Sequence, residues 1–312
     1  MKSKITILIK LIVSVLLLVF LINQAGTREL LTELKKASPF FFTLMVIIGL
    51  LRQFVGGWRW RYILGNAGNI DASILTTTKI YFVSIFMSNF LPGANTGDVI
   101  RPFCLKNLEA GRQKFVLATI IYERFLGLIS IILLAIIGAI FMAWRDKIVY
   151  LNLIGSVIAI IGLMVFLYRY LSNVKIFQRG LLKKFIDAIN YIFDQIEYML
   201  RQRKMTVIVF IISVFYQIIF IVMYWLNSIA LHANVSFFVI FLAVPLGWLA
   251  TMIPVSLNGL GLREGLMCFV LKEFGIPIET SLAIALLFLP ALAFYSFIGA
   301  FFFMTIRLKI RH

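Results

Sequence analysis

The sequence predicts an all-α integral membrane protein, with about six transmembrane helices and two re-entrant helical hairpins of opposite orientation. Three observations predict it. Hydrophobic residues make up 62% of the 312 residues and charged residues only 14%, outside the range of soluble domains. Apolar runs of spanning length recur from end to end, and no hydrophilic stretch is long enough for a separate globular domain. One motif occurs twice. "NFLPGANTGDVIRPF" (89–103) and "TMIPVSLNGLGLREG" (251–265), laid together without a gap, both read Pro-x4-Gly-x3-Arg.

The elements follow in order. A helix needs about 20 apolar residues to cross the hydrocarbon core, and six runs approach or exceed that: 5–23, 38–56, 114–143, 148–170, 205–230 and 279–306. The opening "MKSKITILIKLIVSVLLLVFLIN" has the basic head of a signal peptide. Its apolar core is too long for one and no small-x-small site follows, which predicts a retained first helix. Two further runs, 74–91 and 236–253, are shorter and end at the motif prolines Pro92 and Pro254.

Charge then sets sidedness. Arg169 to Lys204 carries eight basic and three acidic residues, a cytoplasmic signature. Counting back, 148–170 runs inward, the "RDK" loop at 145–147 lies outside and 114–143 runs outward from a cytoplasmic start. The stretch with Arg52, Arg59 and Arg61 is basic and is placed inside as well. The chain is thus cytoplasmic both before and after 74–91, which must enter and return as a hairpin. By the same argument 236–272 enters and leaves from the outer face. The expected organisation is a single polytopic domain over 1–312. It holds repeat one (38–143), a cytoplasmic amphipathic helix (174–203) and an inverted repeat two (205–306), with both termini at the inner face of the cytoplasmic membrane. The 174–203 helix, apolar on one face and basic on the other, is expected on the inner membrane surface or docked on the core.

The hairpins are where chemistry is expected. An arginine at the bilayer centre costs roughly 2.5–3.5 kcal/mol on insertion scales, so Arg101 and Arg263, with Asp98 and Glu264, must be protected or used. Proline stops a helix and glycine permits a sharp turn, which assigns the turns to Pro92, Gly93 and Gly97, and to Pro254, Gly259 and Gly261. Asn95, Ser256 and Asn258 offer hydrogen bonds to freed backbone or to a ligand. A helix restarting after each turn aims its N-terminus at an anion, and an arginine adds a bidentate phosphate donor. Each arginine either holds a phosphate-bearing headgroup or pairs internally, Arg101 with Asp98 and Arg263 with Glu264 or with an acid elsewhere. Glu123 and Arg124, inside the apolar "IYERFLGL", complete the candidate set, with Glu123 expected to balance Arg101 or Arg263 or to carry a proton. Trp58, Arg59, Trp60 and Arg61 read as an interfacial anchor.

The net charge of +17 is dispersed between apolar runs, which points to anionic or phosphate-bearing lipids and not to nucleic acid. Cys104 and Cys268 read as buried thiols, and His232 and His312 make no metal site. No catalytic set, metal or cofactor is expected. The expected protein partners are further copies of the chain or envelope-synthesis enzymes. A membrane-embedded transferase on a lipid-linked sugar would rest on Asp98, Glu123 and Glu264 alone; a non-transporting scaffold is the other alternative.

"FLPGANTGDVIRPF", "YERFLGL" and "PVSLNGLGLREG" together resemble the lysylphosphatidylglycerol synthase transmembrane-region family, across nearly the whole chain. The chain departs from the family's glycine-richer turns at Ala94, Asn95, Thr96 and Asn258. The resemblance implies a flippase-like module that moves lipids between leaflets. The soluble aminoacyltransferase domain that some members carry is absent from this sequence, so synthase activity is not implied.

Overall fold

A computed structural model describes residues 2–90, 96–105, 112–143, 155, 180–251, 256 and 259–306. Helices form all regular structure among them. They are α1 (Lys2–Ala25), α2 (Thr27–Lys35), α3 (Pro39–Gly68), α4 (Ile74–Phe90), a 3-10 turn (Thr96–Ile100) leading into α5 (Arg101–Cys104), and α6 (Gln113–Ala143). After α6 come α7 (Gly180–Arg201), α8 (Arg203–Ala230), α9 (Phe237–Ala250), α10 (Leu262–Glu273), α11 (Ile278–Leu286) and α12 (Phe288–Thr305). The run expected to span at 148–170 lies outside the described residues, as do Pro92, Gly93, Asn95, Pro254 and Asn258.

Among the described residues, four segments are long and apolar enough to cross a bilayer: α3, residues Gln113–Phe141 of α6, α8, and α11 continued into α12. The α1–α2 pair, bent by 83°, makes a fifth if taken as one broken span. The chain is a multi-pass membrane protein. Its outer surface agrees, since α1 exposes Ile12, Val15, Leu16, Val19 and Phe20, and α12 exposes Phe297, Phe301 and Met304, a surface that suits lipid. The helices before the two motifs are shorter. At 1.5 Å per residue, the 17 residues of α4 reach about 26 Å and the 14 of α9 about 21 Å, both short of the ~30 Å core.

Packing between the two halves is exchanged. The long helices α3 and α8 pack on each other, α4 packs on α12 as well as on α3, and α9 packs on α6. Glycines allow both exchanges. A Cβ at Gly299 of α12 would overlap the Phe82 carbonyl of α4, and one at Gly138 of α6 would sit 3.1 Å from the Leu242 Cα of α9. These pairs are nearly the same distance apart in sequence as the motif arginines: 161 from Gly138 to Gly299 and 160 from Phe82 to Leu242, against 162 from Arg101 to Arg263.

The stretch expected as a basic loop is helix. α3 has 30 residues, about 45 Å, and continues through Arg52, Arg59 and Arg61 to Gly68. Arg52, Arg59 and Trp60 are buried, and the Trp60 indole donates to the Thr119 hydroxyl at 3.2 Å; Trp58 and Arg61 are exposed. The anchor expected of this stretch therefore splits. The helix outlasts the first charges because those charges find partners inside, as described below. The amphipathic helix α7 docks its C-terminal half on the core, burying Ile196 and Met199 against Ala118, Tyr122 and Val209.

Candidate functional site

Five arginines converge between α3, α4, α5, α6, α8 and α10, four of them buried and Arg124 exposed at the edge. On α3, Arg59 donates to Glu123 of α6 through Nε (3.2 Å) and Nη2, and to the Ser213 hydroxyl of α8 at 2.9 Å. Glu123 offers its second oxygen to Arg101 Nη1 at 3.0 Å. Arg101 also pairs with Asp98 at 2.8 Å, one helical turn back across the start of α5. Asp98 accepts from Ser84 of α4 at 2.6 Å and from Arg124 Nε at 2.7 Å. Adjacent helical residues diverge by about 100°, and Glu123 and Arg124 accordingly reach separate members of one continuous network.

The second motif is simpler. Arg263 donates to its neighbour Glu264 through Nε at 3.0 Å and through Nη2. The other Glu264 oxygen accepts the Gly261 backbone N–H at 2.7 Å, capping α10 from within. The carboxylate of Glu264 thus takes one of the N–H groups at this helix start. The turn before α10 needs its glycines, because Gly259 and Gly261 have φ of 75° and 85°. Gly261 also admits Leu17 of α1, whose Cβ would lie 2.6 Å from an added Cβ.

Taking a guanidinium out of water costs several kcal/mol even after relaxation. The network offsets this with paired carboxylates, hydrogen bonds and aromatic faces. Arg101 lies 3.9 Å from the Tyr81 ring centroid, and Arg263 5.4 Å from that of Phe288. Arg52 is the exception. It is 8% exposed, has no acidic partner among the described residues, and its Nε lacks any hydrogen bond. Only the rings of Tyr216 and Phe220 hold it, at 3.9 and 4.4 Å.

Four of these arginines, Arg52, Arg101, Arg124 and Arg263, line a single cavity of about 160 Å³, together with Tyr216, Trp248 and other residues. Of the residues predicted from sequence, Arg101, Arg124 and Arg263 face this cavity directly, while Asp98, Glu123 and Glu264 hold those arginines. Ser256 is buried with its hydroxyl unpartnered. Gly97 packs so tightly on α4 that a Cβ would overlap the Ser84 carbonyl.

The family model described as the lysylphosphatidylglycerol synthase TM region matches residues 7–299. The chain belongs to this family.

Several relatives of this lysylphosphatidylglycerol synthase transmembrane-region protein are archaeal. A UPF0104 membrane protein of Methanothermobacter thermautotrophicus is 24% identical over 297 residues, covering 86% of this chain and 84% of the relative. A second from that organism is 26% identical over 306 residues, covering 91% and 89%. A UPF0104 membrane protein of Methanocaldococcus jannaschii is 22% identical over 308 residues, covering 92% and 91%.

Sequence reasoning did not place Arg52 and Arg59 in the site, because their charge was read as the end of a span. A signal was present. They stand seven residues apart, two helical turns, so both lie on one face of α3. Gly49, Gly56 and Ile63, at the same spacing, are also buried.

Proposed function

We propose that this protein is a lipid translocase. It would carry a phosphate-bearing headgroup, of a phospholipid or a lipid-linked glycan, across the cytoplasmic membrane between two opposed re-entrant hairpins, with both termini cytoplasmic. One observation carries the reading: Arg101 and Arg263, the same position in the two motif copies and both buried, line one cavity. Asn89 and Thr251, likewise 162 residues apart, line it too. The exchanged packing of α4 on α12 and of α9 on α6 supports a twofold-related repeat, in which each half lends its short helix to the other. A cavity of about 160 Å³ is below the usual 300–1,000 Å³ of a site enclosing a whole drug-sized ligand, so it suits a headgroup whose tails stay in the bilayer. The family's printed name speaks of an aminoacylated phospholipid; the lipid class supports the reading, and the synthase activity is not carried over.

The charge pairing favours translocation over transfer. Asp98, Glu123 and Glu264 each accept from at least one guanidinium, and none is left as a general base. A scaffold, for its part, has no use for a cavity lined by four arginines.

Proteoliposomes loaded with a fluorescent-headgroup lipid and quenched from outside test the reading. Arg101→Ala and Arg263→Ala are each expected to slow transbilayer exchange at least about tenfold, some 1.4 kcal/mol of barrier, in protein whose melting curve shows a folded state. Undiminished exchange in both variants would reject the proposal.

A further inference from the structure

Around the cavity, the guanidiniums of Arg52, Arg59, Arg101, Arg124 and Arg263 face the carboxylates of Asp98, Glu123 and Glu264. Five cations against three anions leave an excess of two positive charges. The excess is localised. Every other arginine of the set has a carboxylate partner, and Arg52 alone among them has none in the described residues. Two aromatic rings hold Arg52 without using its N–H groups, and the Arg101 Nε is also buried without an acceptor. Unsatisfied buried donors at a cavity wall are donors awaiting an acceptor. The position is also asymmetric, since Val214 stands 162 residues on from Arg52.

Resting on the reading that the cavity takes phosphate, we propose that it selects a phosphate group carrying two negative charges, a monoester or a pyrophosphate, and that Arg52 makes the selecting contact. A phosphodiester brings one negative charge and leaves one guanidinium of the excess uncompensated. A monoester or pyrophosphate matches the excess and gives the free Arg52 edge a bidentate acceptor.

Calorimetry on the purified full chain in detergent tests this with three probes: short-chain phosphatidic acid (a monoester), short-chain phosphatidylglycerol (a diester) and inorganic phosphate, a free dianion at pH 8. At pH 8 the wild type is expected to bind phosphatidic acid at least about tenfold more tightly than phosphatidylglycerol. A phosphate monoester loses its second proton near pH 6, whereas arginine does not titrate in this range. The preference is therefore expected to shrink to within about threefold at pH 5. Arg52→Gln is expected to abolish it at pH 8, bringing the two affinities to within about threefold of each other. The proposal is overturned by equal affinities at pH 8, by a preference that does not change with pH, or by a folded Arg52→Gln protein with wild-type preference. If that variant does not fold, the wild-type pH series decides alone. Inorganic phosphate binding as tight as that of phosphatidic acid would uphold dianion selection yet assign the site to a free anion, removing the lipid-translocation reading. Binding at least about tenfold weaker upholds both.

Discussion

Glu123 joins two arginines from different parts of the chain, Arg59 of α3 and Arg101 of α5, through its two carboxylate oxygens. Removing its charge leaves two buried guanidiniums facing each other without an acid between them. Breaking a buried pair in this way costs about 3–5 kcal/mol, and Glu123→Gln is expected to destabilise the protein by that amount in a denaturation series in detergent. Arg59→Gln is destabilising on its own. The double variant should lose less than the sum of the two by more than about 1 kcal/mol, because each change relieves the other. Strict additivity would show that the two side chains do not share an interaction. Arg101, Glu123 and Arg124 were legible in the sequence because a charge inside an apolar run has no neutral explanation. Arg52 and Arg59 were not, because charges following an apolar run also mark where a membrane helix ends. What separates the two cases is a partner on another helix, and a single sequence does not display it.

At the level of elements, the sequence showed where helices stop better than how closely they approach. Gly97 and Gly259 were legible as turn residues, and Gly259 does have the positive φ that a turn requires. Gly97 has a different duty, letting the 3-10 turn lie against Ser84 and Ser88 of α4, with its N–H donating to the Ser88 hydroxyl at 3.1 Å. Gly138 and Gly299 drew no attention as sequence, since glycine within a membrane helix is common. Both proved to mark helix crossings. Gly97→Ala is expected to lower stability by about 1–3 kcal/mol through overpacking, and to loosen Arg101 as the turn moves away from Ser84. Gly65→Ala is the control. Nothing lies within 4 Å of a Cβ added there, within α3, so the substitution should be neutral or stabilising by up to about 1 kcal/mol. Thermal unfolding of the two variants side by side checks both signs.

For the whole molecule, the decisive property is whether the two halves face opposite ways. Arg52 and Arg59, part of the basic stretch that suggests a cytoplasmic end for residues 38–56, are both buried inside α3 and cannot report on a cytoplasmic surface. What remains is independent of them. The motif repeats at an offset of 162 residues; Asn89 pairs with Thr251 and Arg101 with Arg263 at that offset in one cavity; and the exchanged helix contacts repeat at 161 and 160. A twofold axis along the membrane normal would produce the same exchanges as one in the membrane plane, so contacts alone do not choose between parallel and inverted halves. Position relative to the two faces does choose. Asp71 is exposed just before α4, and Asn234 is exposed just before α9. Inverted halves put these two on opposite sides of the bilayer, Asp71 inside and Asn234 outside, and parallel halves put them on the same side. The two native cysteines are buried, and replacing each with alanine provides the background. In intact cells, an impermeant maleimide should then label Asn234→Cys and spare Asp71→Cys until the membrane is opened. Labelling of both from outside, or of neither, would mean that the hairpins enter from one face, and a carrier with a single shared central site would no longer follow from the repeated motif.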